Sequence, residues 1–263
     1  MKNIWLCLLL IGIFISCNNK KESKKNNAVQ ETIVTNLKSK IAKSPDSIGL
    51  HLQLVDALDS LNDYTNAISE MNGLIKKDSL NYAFWYRLGQ LYSSAKDTVS
   101  AIQSYSKAIK VYPAPDAVLS LANLYAETKN STALQLTDFI LTMRLGREYN
   151  AHCYFIKGVF FARTNNKQKA ISFFDECINN NFNYPEAYLE KGFILFDAGK
   201  KEDALKTFTM CITVNNTYAD GYYWVAKCNE ALNNKAAAIT NYQTALQLDA
   251  NMQEAKNALQ RLK

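Results

Sequence analysis

The chain has 263 residues, of which 48% are hydrophobic, and it contains only 9 glycines and 4 prolines. This composition is typical of an all-helical protein. The net charge of +6 lies mainly near the N-terminus: residues 18–43 hold seven Lys and two Glu, a charge of +5, whereas residues 44–263 hold 22 basic and 22 acidic residues. A nucleic-acid-binding protein needs a basic face on its folded body, so no nucleic-acid partner is expected.

Residues 1–16 are predicted to be a lipoprotein signal peptide. Lys2 precedes an apolar run, Ile4 to Ile15, that is too short to span a bilayer as a helix. The run ends in Ser16-Cys17, which resembles the lipobox of bacterial lipoproteins. That resemblance implies cleavage before Cys17 and lipidation of its thiol, which anchors the protein to a membrane. The alternative is an ordinary signal peptide followed by an incidental cysteine.

Residues 17–30 are predicted to be a flexible basic tether, because they are rich in charge and lack apolar periodicity. The lysines are interpreted as part of a solvated spacer, with contact to anionic headgroups as the alternative. The residue after Cys17 is Asn18 rather than Asp. By resemblance to enterobacterial lipoproteins, this implies the outer membrane of a bacterial cell envelope. The tether also lacks the acidic run that is associated with surface export in some Bacteroidetes lipoproteins, which implies that the protein faces the periplasm.

Residues 31–47 are predicted to form an N-terminal capping helix. Ile33, Leu37 and Ile41 follow a helical period, and Ser44-Pro45 ends the pattern. Such a helix would cover the apolar face that the first unit of a repeat array otherwise exposes to water.

The segment from Trp85 to Pro113 contains the most informative motif. It reads Trp85-x2-Leu88-Gly89-x2-Tyr92, then Ala101-x3-Tyr105-x2-Ala108, and it ends at Pro113. Small residues at Gly89 and Ala101 allow two helices to approach closely, aromatic residues fill the space beside the crossing, and proline ends the second helix. This pattern resembles the tetratricopeptide repeat (TPR).

Residues 48–252 are predicted to contain six such repeats. Pairs of Ala and an aliphatic residue recur at spacings of 34, 69, 34 and 34 residues, and 69 leaves room for one more repeat. The predicted repeats are 48–81, 82–114, 115–150, 151–184, 185–218 and 219–252. In the third repeat, Thr137 replaces the expected aromatic residue.

The expected fold is therefore all-α. The TPR resemblance implies a right-handed superhelix (an α-solenoid) of about six helix-turn-helix repeats. Residues 253–263 are predicted to be a C-terminal solvating helix that caps the array. Its apolar stripe comprises Met252, Ala255, Leu259 and Leu262.

The sequence offers little catalytic chemistry. It has two histidines, far apart, and it lacks the nucleophile, phosphate-binding and dinucleotide-binding motifs. Cys177 and Cys211 occupy equivalent small-residue positions, so they are interpreted as core residues about 10 Å apart, too distant for a disulfide. The chain is therefore predicted not to be an enzyme and to need no metal or cofactor.

The TPR resemblance also implies a binding groove, because family members bind ligands through defined positions of the first helix of each repeat. An apolar stripe in the C-terminal half of this groove would suit a helix or an extended peptide. The alternative is that some of these side chains belong to the core. The candidate partner-binding residues are Tyr86, Gln90, Asn123, Phe155, Val159, Arg163, Phe193, Phe196, Tyr223 and Lys227.

These features predict a lipid-anchored scaffold or adaptor that binds a protein or peptide partner of the envelope. The chaperone-type carboxylate clamp is absent, since Leu52 and Asp56 stand where that clamp has Lys and Asn. The alternative function is a carrier lipoprotein whose groove binds a small apolar molecule, a lipid or a glycan. The sequence does not indicate the oligomeric state.

Overall fold

The computed structural model describes residues 29–262, and within this range every regular element is an α-helix. The prediction of an all-α fold with six helix pairs and a C-terminal cap is therefore confirmed. The signal peptide, Cys17 and all but the end of the tether lie outside the described residues. The helices are α1 (29–43), α2 (Ile48–Ser60), α3 (Tyr64–Lys77), α4 (Tyr82–Ser94), α5 (Thr98–Val111), α6 (Pro115–Glu127), α7 (Thr132–Thr142), α8 (Arg147–Arg163), α9 (Lys167–Asn180), α10 (Pro185–Asp197), α11 (Lys201–Val214), α12 (Ala219–Ala231), α13 (Lys235–Leu248) and α14 (Gln253–Leu262).

The chain divides into two compact units, with the boundary between Pro113 and Ala114. The N-terminal unit contains α1 to α5, and the C-terminal unit contains α6 to α14. In both units consecutive helices pack as pairs, such as α4 with α5 and α8 with α9. None of the helices in residues 29–262 combines the length and the apolar character needed to cross a bilayer.

The same turn connects the two helices of every pair. A residue with positive φ follows the first helix, and the next backbone N–H donates to the carbonyl five residues earlier, as from Asn166 to Phe161 at 2.8 Å. This Schellman-type turn satisfies carbonyl groups that the end of a helix leaves free. Since it spans few residues, it holds the two helices antiparallel. The positive-φ residues are Asn62, Lys96, Lys129, Asn165, Gly199 and Asn233.

Within three of the pairs, a glycine of the first helix lies against an aromatic ring of the second. A Cβ atom added to Gly158 would lie 2.5 Å from Phe174, and one added to Gly192 would lie 2.4 Å from Phe208. These distances are far below van der Waals contact, so only glycine fits at this helix separation. In the third repeat, buried Thr137 takes the place of the ring, and its hydroxyl donates to the carbonyl of Leu134 at 2.8 Å.

Helix α1 packs on the apolar end of the first repeat. One of its buried residues differs by one position from the residue that the sequence predicts. Val34 and Leu37 are 9% and 6% exposed and share a cluster with Leu54, whereas Ile33 is 39% exposed. Val34 therefore takes the core position predicted for Ile33, because α1 is rotated toward the side chain one residue further along.

Helix α14 covers the last repeat. Ala255 and Ala258 are buried against Tyr242, and the predicted stripe of Met252, Leu259 and Leu262 packs beside them. The carboxylate of Glu230 adds two polar contacts to this packing. Tyr242 donates a hydrogen bond to one of its oxygens at 2.8 Å, and Arg261 donates to the other.

Candidate functional site

The predicted partner-binding residues lie on the first helices of their repeats. Tyr86 and Gln90 lie on α4 in the N-terminal unit, and the other eight belong to the C-terminal unit. All of them except Val159 are partly exposed. The C-terminal unit therefore contains the larger part of the candidate site.

Val159 is a wrong prediction, because its side chain is only 1% exposed. It follows Gly158 on α8, a long helix that packs against α6 and α7 as well as α9. These neighbours cover a position that the repeat pattern places in the groove. Val159 is thus a core residue and is inaccessible to a partner.

One aromatic group links α10 to α12. The rings of Phe193 and Trp224 have centroids 4.7 Å apart, and Phe196 meets Trp224 edge-on at 5.5 Å. Tyr223 contacts Trp224 at 5.7 Å. Phe208, which is fully buried, stacks on Trp224 and makes a tilted ring contact with Phe193. The rings of Phe193, Phe196, Tyr223 and Trp224 are half-buried. They therefore pack against the core and also present an accessible apolar surface.

A second aromatic group links α8 to α10. Phe155 and Tyr184 have ring centroids 5.0 Å apart, and His152 Nδ1 lies 2.9 Å from the Tyr184 hydroxyl. Burial, followed by the nearby Cys177 and Glu186, raises the pKa of Tyr184. The phenol therefore stays neutral near pH 7, as either donor or acceptor of this hydrogen bond. We call the half-buried residues of the two groups the aromatic surface: Phe155, Tyr184, Phe193, Phe196, Tyr223 and Trp224.

Arg163 is engaged within the fold. Its guanidinium donates two hydrogen bonds to Glu127 on α6, at 2.8 and 3.2 Å, and two to Glu190 on α10, both at 3.0 Å. These bonds, with burial acting in the opposite direction, raise the pKa of Arg163. Bidentate pairs of this kind are among the stronger charge-assisted hydrogen bonds. Arg163 therefore joins three successive repeats and has few donors left for a partner.

Lysines contact the edges of the aromatic surface. Lys201 Nζ lies 3.3 Å from the ring centroid of Phe196 and donates to its carbonyl at 2.6 Å. Lys227 Nζ lies 5.9 Å from the ring centroid of Trp224. Both are cation–π contacts, which hold the ammonium groups beside the rings while the stems cover apolar surface.

The cysteines belong to the core. Cys153, Cys177, Cys211 and Cys228 are free and buried, which confirms that Cys177 and Cys211 are not linked. Burial raises the pKa of each of the four thiols to about 12. They are therefore protonated near pH 7 and poor nucleophiles. Across residues 29–262, no group of three potential ligands among His, Cys, Asp and Glu could hold a metal ion.

Two aromatic residues of the site do not stand out in the sequence. Trp224 and Tyr184 fall outside the repeat positions that the family pattern assigns to ligand contact. Tyr184 occupies the N-cap position of α10, just before Pro185, and its contacts with Phe155 and His152 bring it to the site. The exposed acidic residue Asp220 could have been recognised from its place in the first turn of α12, which corresponds to that of Glu186 in α10.

Comparison with known proteins supports the repeat architecture. Models of the tetratricopeptide repeat match residues 52–117, 151–184 and 219–252, which together make up just over half of the chain. None of the curated proteins matches the chain. All of the matched family models describe this repeat.

Several solved structures are similar. A tetratricopeptide repeat protein from Parabacteroides merdae has a TM-score of 0.73 and 18% identity, over 93% of this chain and 96% of that one. PilW, a widely conserved type IV pilus biogenesis factor, has a TM-score of 0.65 and 20% identity, over 81% of this chain and 97% of its own. At these identities the likeness shows the fold alone.

Proposed function

Because the chain belongs to the tetratricopeptide repeat family, we propose that it is a protein-binding adaptor whose C-terminal unit binds a segment of another protein on the aromatic surface. The observation that supports this is the partly exposed ring cluster of Phe193, Phe196 and Trp224, held by fully buried Phe208. Apolar rings that are rigidly supported from below provide contact area without a large loss of side-chain entropy on binding. Such anchors dominate the energetics of many interfaces.

The adaptor is anchored to a bacterial envelope membrane through a lipid on Cys17 and faces the periplasm from the outer membrane. Support for this part comes from the sequence: an apolar leader, a small residue before Cys17 and a polar tether after it. The tether would let the repeat units reach a partner beyond the headgroups while they stay near the bilayer.

Replacing Cys17 by Ser is expected to abolish lipidation, because serine lacks the thiol to which the lipid is attached. In a Gram-negative host, the wild-type protein should incorporate labelled palmitate and enter the detergent phase of a Triton X-114 extraction, and Cys17→Ser should do neither. Cys7→Ser is the matched control, since Cys7 leaves with the leader. Palmitate labelling that persists in Cys17→Ser would contradict the anchor.

The adaptor function is tested by photo-crosslinking in native membranes. A photoreactive residue at Asp197, exposed on α10 one turn beyond Phe193, is expected to give one discrete protein adduct. The same residue at Lys206, exposed on the second helix α11, is the control and is expected to give none. Equal adducts from both positions, or none from either, would argue against a partner on the aromatic surface.

A further inference from the structure

Exposed carboxylates lie on the two first helices, α10 and α12, that carry most of the aromatic surface. On α10, Glu186, Glu190, Phe193 and Asp197 follow one another at helical spacings and so share one face. Glu186 and Asp197 are exposed, whereas Glu190 and Phe193 are partly exposed. Carboxylates therefore lie on either side of a ring that a partner would contact.

The next first helix repeats this arrangement. Asp220 is exposed at the start of α12, one turn before Tyr223 and Trp224. Tyr218 lies just before this helix, and burial first, and then the charges of Glu186 and Asp220, raise its pKa to about 12. Acidic groups of α10 and α12 thus both lie near the Tyr218 hydroxyl.

The neighbouring cations do not cancel these charges. Arg163 is shared by two carboxylates, those of Glu127 and Glu190, so this triad keeps a negative charge. Lys191 of α10 pairs with Asp175 on the second helix α9. Lys201 and Lys227 lie beside the rings of Phe196 and Trp224, and Lys200 is exposed next to Lys201. These three cations are one fewer than the negative charges of Glu186, Asp197, Asp220 and the Arg163 triad. Residues 44–263 hold equal numbers of basic and acidic side chains, so the surplus is local.

Building on the adaptor function, we infer that the aromatic surface binds a basic segment of the partner protein, in which Lys or Arg residues are interspersed with apolar ones. The apolar side chains would pack on Phe193, Phe196 and Trp224, and the cations would meet Glu186, Asp197 and Asp220. Complementary charge of this kind accelerates encounter and selects among apolar segments, and it makes binding sensitive to salt.

The probes are three fluorescein-labelled peptides of equal length with the same Leu and Phe positions. The intervening residues are Lys in the first, Gln in the second and Glu in the third. Fluorescence anisotropy with the full-length protein is expected to rank them Lys, Gln, Glu in falling affinity. The affinity of the Lys peptide should fall with added salt, and the affinity of the Gln peptide should not.

The matching protein variant is Glu186→Gln with Asp220→Asn, which removes two charges and keeps side-chain shape. This variant is expected to lower the affinity for the Lys peptide about three- to tenfold, in line with the loss of exposed ion pairs. The affinity for the Gln peptide should stay unchanged. Glu176→Gln with Glu202→Gln is the control, because these exposed residues lie on second helices of the same unit. It should change neither affinity.

Two results would overturn the inference. If the Lys and Gln peptides bind equally and the acidic variant changes neither, the partner segment is selected by apolar contact alone, and the adaptor function stands. If none of the peptides binds, or if the Glu peptide binds best, the basic-segment inference fails. The crosslink at Asp197 removes only one of the three carboxylates and keeps the rings, so it still reports a partner on the aromatic surface when the basic-segment inference fails, and the two failures can be told apart.

Discussion

Replacing Phe208 by Ala is expected to lower the free energy of unfolding of the C-terminal unit by about 3–5 kcal/mol. The ring is fully buried, fits against Gly192 and supports Phe193 and Trp224 from below. Its removal takes apolar area out of the core and leaves a cavity that rigid aromatic neighbours fill only partly. Denaturant unfolding followed by Trp fluorescence measures the loss.

Phe182→Ala is the matched control, because Phe182 is in the same unit and is 55% exposed, with an edge-on contact to Tyr188. Its expected cost is below about 1 kcal/mol. Comparable losses from both substitutions would mean that Phe208 does not support the aromatic surface. A large loss from Phe208→Ala alone would show that the accessible rings depend on a rigid core beneath them.

Gly89→Ala is expected to destabilise the N-terminal unit, although alanine favours helix formation over glycine. The new Cβ atom would lie 2.6 Å from the ring of Tyr105, which is 4% exposed and has little room to move. Overpacking of this kind costs about 1–3 kcal/mol. In the sixth repeat, Ala226 stands at the corresponding position and packs in one cluster with Tyr242. A helix pair of this kind can therefore accommodate a methyl group beside the ring, which limits the expected cost.

Gly73→Ala in the same unit is the control. Gly73 lies inside α3 with nothing within 4 Å of an added Cβ atom, so alanine should stabilise the unit by about 0.5–1 kcal/mol. Thermal and denaturant unfolding of the two variants should therefore shift in opposite directions. A stabilising effect of Gly89→Ala would show that the two helices separate at negligible cost.

The repeat architecture could be predicted because its determinants are local. The spacing of Ala101 and its equivalents, the small residue at Gly89 and the polar turns act within one helix pair, and every pair repeats them. Because the same signals occur in several repeats, the fold can be predicted even though the third repeat matches the pattern weakly. The capping helices were also predictable, since the two ends of an array need apolar stripes.

The candidate site could be predicted only in part, since it depends on contacts between repeats. The sequence places Phe193 and Tyr223 on first helices, but not their contacts with Trp224, nor the packing of Tyr184 on Phe155. A helical period identifies the face of a helix on which a side chain lies. The neighbouring helix that covers this face is decided by packing.

The sequence by itself determined the all-α repeat fold, the number of repeats and the helices that cap them, because these follow from spacing and turn chemistry along the chain. Only the tertiary structure decided that Val159 is buried, that Val34 replaces Ile33 in the core and that Arg163 is held between Glu127 and Glu190. The physical reason is the same in each case. The exposure of a side chain and its charge partners depend on how closely the neighbouring helices pack around it, and residues far away in the sequence set that packing.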